Sequence, residues 1–261
     1  MGLDWPELWR YRELLYFLVW RDVKIRYKQT FLGATWAVIR PFLTMIVFTV
    51  IFGHLAGISP GSDVPYPIFV FTGLLAWTYF SSALTGTSSS VVGNSSLVTK
   101  VYFPRLYVAL AAVAAPVVDL VLSFVVLLAL FGWYGRAPSW HLVFLPLPVL
   151  LTLLIGLGVG LWLAPLTVRY RDVPFALPFI VQLWMYATPV IYPASLVPHR
   201  WRWLLALNPV TAVVDGFRWC VLGHGGPSPA VLGASLVTAA LLLLTGVAFF
   251  RRSERSFADL I

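Results

Sequence analysis

The chain has 261 residues, of which 60% are hydrophobic and only 11% charged, and its formal net charge is +8. A mean hydropathy of +0.86 excludes a water-soluble core with a hydrated shell and makes this an integral membrane protein. In a soluble protein the basic excess would point to nucleic acid; here it flanks apolar stretches, so the expected partner is anionic membrane lipid and no nucleic acid.

The leader comes first. Residues 7 to 28, ELWRYRELLYFLVWRDVKIRYK, bring Leu8, Tyr11, Leu15, Leu18 and Ile25 near one helical face and Arg10, Arg21, Lys24 and Lys28 onto another. That spacing predicts a cytoplasmic amphipathic helix within residues 1–33, lying in the membrane interface with Trp and Tyr at headgroup depth. The leader is charged and lacks an apolar core with a small-residue cleavage site, so no cleavable signal peptide is expected. Its basic cluster, Arg21, Lys24, Arg26 and Lys28, has two readings: contact with lipid, or attraction of the phosphates of a lipid-linked substrate.

A helix needs about 20 apolar residues to cross the hydrocarbon, because every backbone polar group must be bonded internally there. Six stretches qualify: 36–57, 66–86, 107–131, 142–168, 174–195 and 230–250. A seventh, 203–223, is long enough but carries Asp215, Arg218 and a central Asn208-Pro209. With six spans and the N-terminus in the cytoplasm, only Arg136, Arg200, Arg202 and Arg218 fall outside, and the remaining Lys and Arg lie inside. If 203–223 also crossed, the RRSER tail would sit outside, against that rule. The segment is therefore expected as two short re-entrant helices broken at Asn208-Pro209, between the fifth and sixth spans.

The loop of residues 88–105 is the longest on the cytoplasmic side. Asn94 or Ser95 can cap a short helix there, ended by Pro104 and suited to docking in a groove on a partner. Asp119 is the one carboxylate inside the third span, costing about 2.5 to 3.5 kcal/mol at the bilayer centre unless paired or hydrated, and no second charge at matching depth is evident. Gly156, Gly158 and Gly160 form a small-residue face for close helix packing. The aromatic residues of the second and fifth spans suit interfacial belts and packing, with a minority available to line a passage over which sugar rings slide. No GxxxxGK[ST] phosphate loop occurs, and the four histidines lack metal-ligand spacing.

Five segments together resemble the membrane subunit of ABC-2 type exporters, in the branch that moves O-antigen, teichoic acid and capsule polysaccharides. They are RDVKIRYKQTFLGATWAVIRP (21–41), NSSLVTKVYFPR (94–105), VRYRDVPFALPFIVQLWMYATPVIYP (168–193), LNPVTAVVDGFRWCVLG (207–223) and the C-terminal FADLI. The LNPxxxxxxGFRW pattern looks most like O-antigen permeases. The resemblance covers nearly the whole chain and implies a transmembrane domain over residues 34–261. It implies a homodimer with two separate ABC ATPase subunits, which bind the ATP and Mg, so this chain is a transport subunit without enzymatic activity or cofactor of its own. The implied substrate is a lipid-linked polysaccharide carried across the bacterial inner membrane, with both termini cytoplasmic. On the same resemblance Asn94, Leu97, Lys100, Phe103 and Arg105 would couple to the ATPase, and Arg21, Lys24, Arg26 and Lys28 would guard the cytoplasmic mouth. The first and fifth spans would line the channel, with Phe48, Phe52, Trp184, Tyr186 and Tyr192 as candidate sugar-contacting rings. Three rivals stay open: an exporter of a drug or small lipid, a lipid-modifying enzyme using His199 and Asp215, and an ion-coupled transporter using Asp119.

Overall fold

A computed structural model describes residues 11–28, 35–61, 64–101, 103–254 and 257, and every regular element among them is helical. Leu8 and Arg10 of the leader, residues 29–34, Arg255 and the C-terminal FADLI apart from Phe257 lie outside the described residues.

The leader forms α1, Arg12–Tyr27. Leu18 is buried, and Tyr11, Leu14, Leu15 and Val19 pack around it against the body of the protein. Tyr16, Phe17 and Trp20 stand exposed on the other side. Ile25, expected on the packed face, instead lines an open cleft.

The first span is α2, Thr35–Phe48, which contains Pro41 and runs on as a π-helical turn over Thr49–Leu55. Next comes α3, Tyr66–Gly93, whose 28 residues extend ~42 Å at 1.5 Å per residue, longer than the expected 66–86 and long enough to project beyond the hydrocarbon. After the short α4, Ser95–Lys100, the third span is divided into α5, Leu106–Ala114, and α6, Val117–Trp133. The break falls at Pro116, which has no N–H to continue the ladder. The fourth span is α7, Pro146–Arg169, preceded by a 3-10 turn at Trp140–Phe144.

The expected fifth span, 174–195, is cut short. Helix α8 covers only Val173–Ala187, 15 residues or ~22 Å, and Thr188 leaves it with extended backbone because Pro189 follows. Helices α9, Arg202–Leu207, and α10, Pro209–Leu222, are bent by 96° at Asn208, the expected break. The last span is α11, Pro229–Ser253. Among the described residues five helical stretches are long and apolar enough to cross a membrane, or six if the bent pair is counted as one span. The chain is an all-α membrane protein.

Helix α3 is the axis around which the others assemble, and α7 lies most extensively against it. Small residues let them approach: a Cβ on Gly160 would come within 2.4 Å of the Thr87 side chain, and one on Gly156 within 3.1 Å of Ala83. Gly158 faces the other way, where a Cβ would meet the α11 backbone at Leu242, 2.9 Å distant. The small-residue face in the fourth span thus serves two helix contacts at once.

Candidate functional site

The leader end of the bundle gathers the basic residues, and only some are free to meet a ligand. Arg21 donates to Asp22 Oδ1 at 2.7 Å and to Asn94 Oδ1 at 2.5 Å. Arg26 donates to the Asp119 carboxylate, and so does the Tyr27 hydroxyl. Asp119 therefore has the partner at matching depth that the linear sequence hides, since Arg26 lies on another element. Burial and the Asp119 carboxylate together push the Tyr27 phenol well above its ordinary range, so it remains a proton donor. Lys24 is exposed with its ammonium 5.2 Å from the Trp20 ring centroid, and Lys28 is exposed at the end of α1. Of the four expected mouth cations, two are committed to internal anchors.

The expected coupling residues divide in the same way. Helix α4 is short, with Val98 buried beneath it and Leu97 half-buried. Phe103 is buried in the leader-end core, not presented to a partner. Arg105 is drawn inward too: its backbone N–H donates to Glu254 Oε1 at 3.2 Å, its guanidinium to the Glu254 carbonyl, and it lies 5.9 Å from the Phe257 ring centroid. Glu254, just past α11, thus holds Arg105 half-buried, and Phe257 belongs to the same core as Phe103. What α4 offers outward is Ser96, Thr99, Lys100 and Val101. Alanine at Phe103 therefore disturbs a packed core and is unsuited to testing coupling.

A third feature runs along α3. Thr78, Ser81, Ser82, Thr85 and Ser89 recur at helical spacing on the side opposite the α7 contact, and all are at least partly open. Thr85 Oγ1 donates to the Ser81 carbonyl at 2.7 Å and Ser89 Oγ to the Thr85 carbonyl at 2.9 Å, leaving their oxygen lone pairs outward as acceptors. The stripe is ~16 Å long and ends in a cleft of about 330 Å³ between α1, α3 and α5, lined by Asp22, Arg26, Ser89 and Asn94 among others.

Over residues 13–222 the chain matches the family described as ABC-2 type transporter. It belongs to that family. It is 33% identical, over 258 residues and 98% of each chain, to the O-antigen export system permease protein RfbA of Myxococcus xanthus. To the protein of the same description from Klebsiella pneumoniae it is 25% identical over 251 residues, 95% of each chain. To the polysialic acid transport protein KpsM of Escherichia coli it is 24% identical over 243 residues, 90% of this chain and 92% of the relative.

In this ABC-2 family member, the end opposite the leader is built for anchorage. Arg218 is buried, stacks 3.7 Å from the Phe69 ring centroid, and donates to the carbonyls of Pro189 and Val190, both at 2.6 Å. The Tyr66 hydroxyl donates to the Ile191 carbonyl at 2.7 Å. These donors satisfy backbone groups that the early end of α8 leaves without helical partners. Asn208 caps α10 through Val210 N–H, accepts the Trp184 indole N–H at 3.1 Å and donates to Thr188 Oγ1 at 2.9 Å.

That network decides the fate of the candidate rings. Trp184 is held by Asn208 and sits edge-on to Phe80 with centroids 5.1 Å apart, and Phe48 is buried against Phe52. Tyr192 is half-buried and donates to the Tyr186 carbonyl at 3.2 Å, while Tyr186 is itself exposed. Tyr186 is the open ring among the five, with Phe52, Trp184 and Tyr192 partly so. The space of about 270 Å³ that Asp215 and Arg218 line includes His224 and not His199. Among the described residues, no group of three or more His, Cys, Asp or Glu side chains is placed to hold a metal ion.

Proposed function

We propose that this chain is the membrane-spanning subunit of an ATP-driven exporter that moves lipid-linked polysaccharide, O-antigen before teichoic acid, to the outer face of the bacterial inner membrane. The observation that carries the reading is the open hydroxyl stripe of α3, in a chain similar along nearly its whole length to permeases described as exporting O-antigen. A sugar hydroxyl taken from water into hydrocarbon without a partner costs about 4 to 8 kcal/mol on the cyclohexane scale, so a glycan needs a polar path. Thr85 and Ser89 have already committed their protons to the backbone, so they offer acceptors to passing sugar hydroxyls without competing as donors. Tyr186 adds a ring face that tolerates sliding.

A second copy facing the stripe closes it into a channel, which is the support for a homodimer. A cytoplasmic leader end, with both termini, is supported by the positive-inside rule, because Lys24, Lys28, Lys100, Arg251 and Arg252 collect there. On the same assignment α1 lies at the inner interface, Lys24 and Lys28 meet the phosphates of the lipid carrier, and α9 with α10 dips in from the outer face. Two separate ABC ATPase subunits, which bind the ATP and Mg, dock on Ser96, Thr99, Lys100 and Val101. The chain supplies no phosphate loop of its own.

The test is reconstitution of the permease with its co-purifying ATPase in proteoliposomes loaded with a lipid-linked glycan. ATP-dependent appearance of glycan on the far side is expected. Equal transport of the lipid carrier without its glycan would replace this reading with that of a small-lipid exporter.

A further inference from the structure

Asp119 is the only acidic residue between Leu106 and Trp133, and it sits on the first turn of α6, directly beyond the Pro116 break. About 14 residues, or ~21 Å of helix, separate it from Trp133. With the exposed Trp133 at the outer edge of a hydrocarbon layer ~30 Å thick, Asp119 falls in the inner third and not at the centre. Both of its donors, Arg26 and Tyr27, come from the C-terminal end of α1. One and a half turns earlier on the same helix, Arg21 grips Asn94, whose carbonyl accepts the N–H groups of Leu97 and Val98 and so begins α4. Ahead of those two points the apolar face of α1, centred on Leu18, packs along α5. The last two turns of one helix therefore touch both the turn that carries α4 and the start of α6 just beyond the break in the third span.

The break is a natural place to move. Pro116 offers no N–H to the Ala112 carbonyl, and α5 is joined to α6 through the bonds of Ala115 N–H to Ala111, Val118 N–H to Ala115 and Leu120 N–H to Pro116. An ion pair at this depth is not needed for stability, since apolar residues of the same volume commonly pack as well or better, but removing one partner alone leaves an uncompensated charge.

We propose that Asp119 is a positioning residue for coupling: it makes α1 a strap between the α4 turn and the Pro116 break, so that displacement of α4 moves the start of α6. The strap stays closed through the cycle and moves as one body. It rests on the export reading, and its test separates the two.

In the reconstituted permease–ATPase complex, Arg26→Asp and Asp119→Arg each lower glycan exported per ATP hydrolysed by on the order of 10-fold, with the ATPase rate retained, and the combined R26D/D119R variant recovers most of the loss. Recovery assigns the loss to the pair and not to attraction of substrate by Arg26. A combined variant no better than either single one overturns the proposal. A second experiment uses Arg26→Cys with Asp119→Cys in a Cys220→Ser background, joined by a short thiol-to-thiol linker. Unlinked, the two cysteines lower export per ATP as the single substitutions do; linkage restores it if the strap is permanent, and no recovery on linking overturns it. A third needs no glycan: spin labels at the exposed Val121 of α6 and Leu150 of α7 report a nucleotide-dependent change of distance in the unsubstituted complex that Asp119→Asn abolishes. The same change in both proteins overturns the strap and leaves the export reading untouched; failure of the unsubstituted complex to move any glycan overturns the export reading alone.

Discussion

The two halves of α3 lie in opposite surroundings. From Tyr66 to Trp77 every residue except Pro67 is buried, whereas from Thr78 to Gly93 one side of the helix is open and carries hydroxyls. The difference comes from what happens to the neighbouring chain. At the far end α8 stops at Ala187 and the following backbone folds against α3, pinned by Arg218 and Tyr66, while α10 covers the rest. At the leader end α7 occupies one side and α5 another, and nothing described covers the side opposite α7. One half of the helix is a foundation and the other is a wall of the path.

The sharpest way to break that comparison is to enlarge Gly73. A Cβ there would lie 2.7 Å from the Val190 carbonyl oxygen and 3.0 Å from Arg218 Nη2, so the pinned segment and the guanidinium cannot both keep their places. Gly73→Leu is expected to leave little monodisperse protein in detergent, as judged by size-exclusion yield. Arg218→Met comes next. It keeps the apolar bulk against Phe69 but strips two carbonyls of their donors, at about 1 to 3 kcal/mol for each buried group left unsatisfied. A clear fall in thermal unfolding temperature, with transport lost in proportion to folded protein, is the expected result. Unchanged melting would mean that the anchor is dispensable.

The open half answers differently to bulk. Ser82→Phe with Thr85→Phe adds two large side chains where there is room, so folding and assembly should persist while glycan export in proteoliposomes falls on the order of 10-fold. Melting that collapses as it does for Gly73→Leu would show that the stripe is covered in the working protein, and the contrast between the two halves would be lost.

Much of this arrangement was legible in the amino-acid sequence, and the omissions have physical causes. Apolar run length located the spans because the hydrocarbon thickness imposes it, and Asn208-Pro209 announced the bend because proline forbids the helical conformation before it. The same rule applied to Pro189, yet the apolar count of 174–195 outweighed it, and the early end of α8 was missed. The pairing of Asp119 with Arg26 and of Arg105 with Glu254 depends on tertiary placement across 93 and 149 residues, which no local pattern encodes. Phe103 looked like a docking residue for the same reason, since the core that takes it in draws on residues as distant as Phe250 and Phe257. The hydroxyl stripe is the instructive case. Thr78, Ser82, Thr85 and Ser89 follow a helical period in plain view, and asking for polar periodicity within an apolar window would have found them.

The finest probe of the comparison is a single hydroxyl. Thr85→Val preserves shape and volume and deletes only the oxygen that faces the path. Because that hydroxyl donates back to the Ser81 carbonyl, its loss removes one acceptor from the stripe and one back-bond that bends the helix slightly. Stability should hold or rise a little. A neutral hydrogen bond is worth about 0.5 to 1.5 kcal/mol, so export should slow by only a few-fold. Thr72→Val supplies the matched control, because Thr72 makes the same bond to the Ile68 carbonyl at 2.8 Å but sits in the buried half, away from any glycan. If both substitutions slow export equally with the same change in melting temperature, the effect belongs to helix geometry. Slower export from Thr85→Val alone assigns it to contact with the moving sugar.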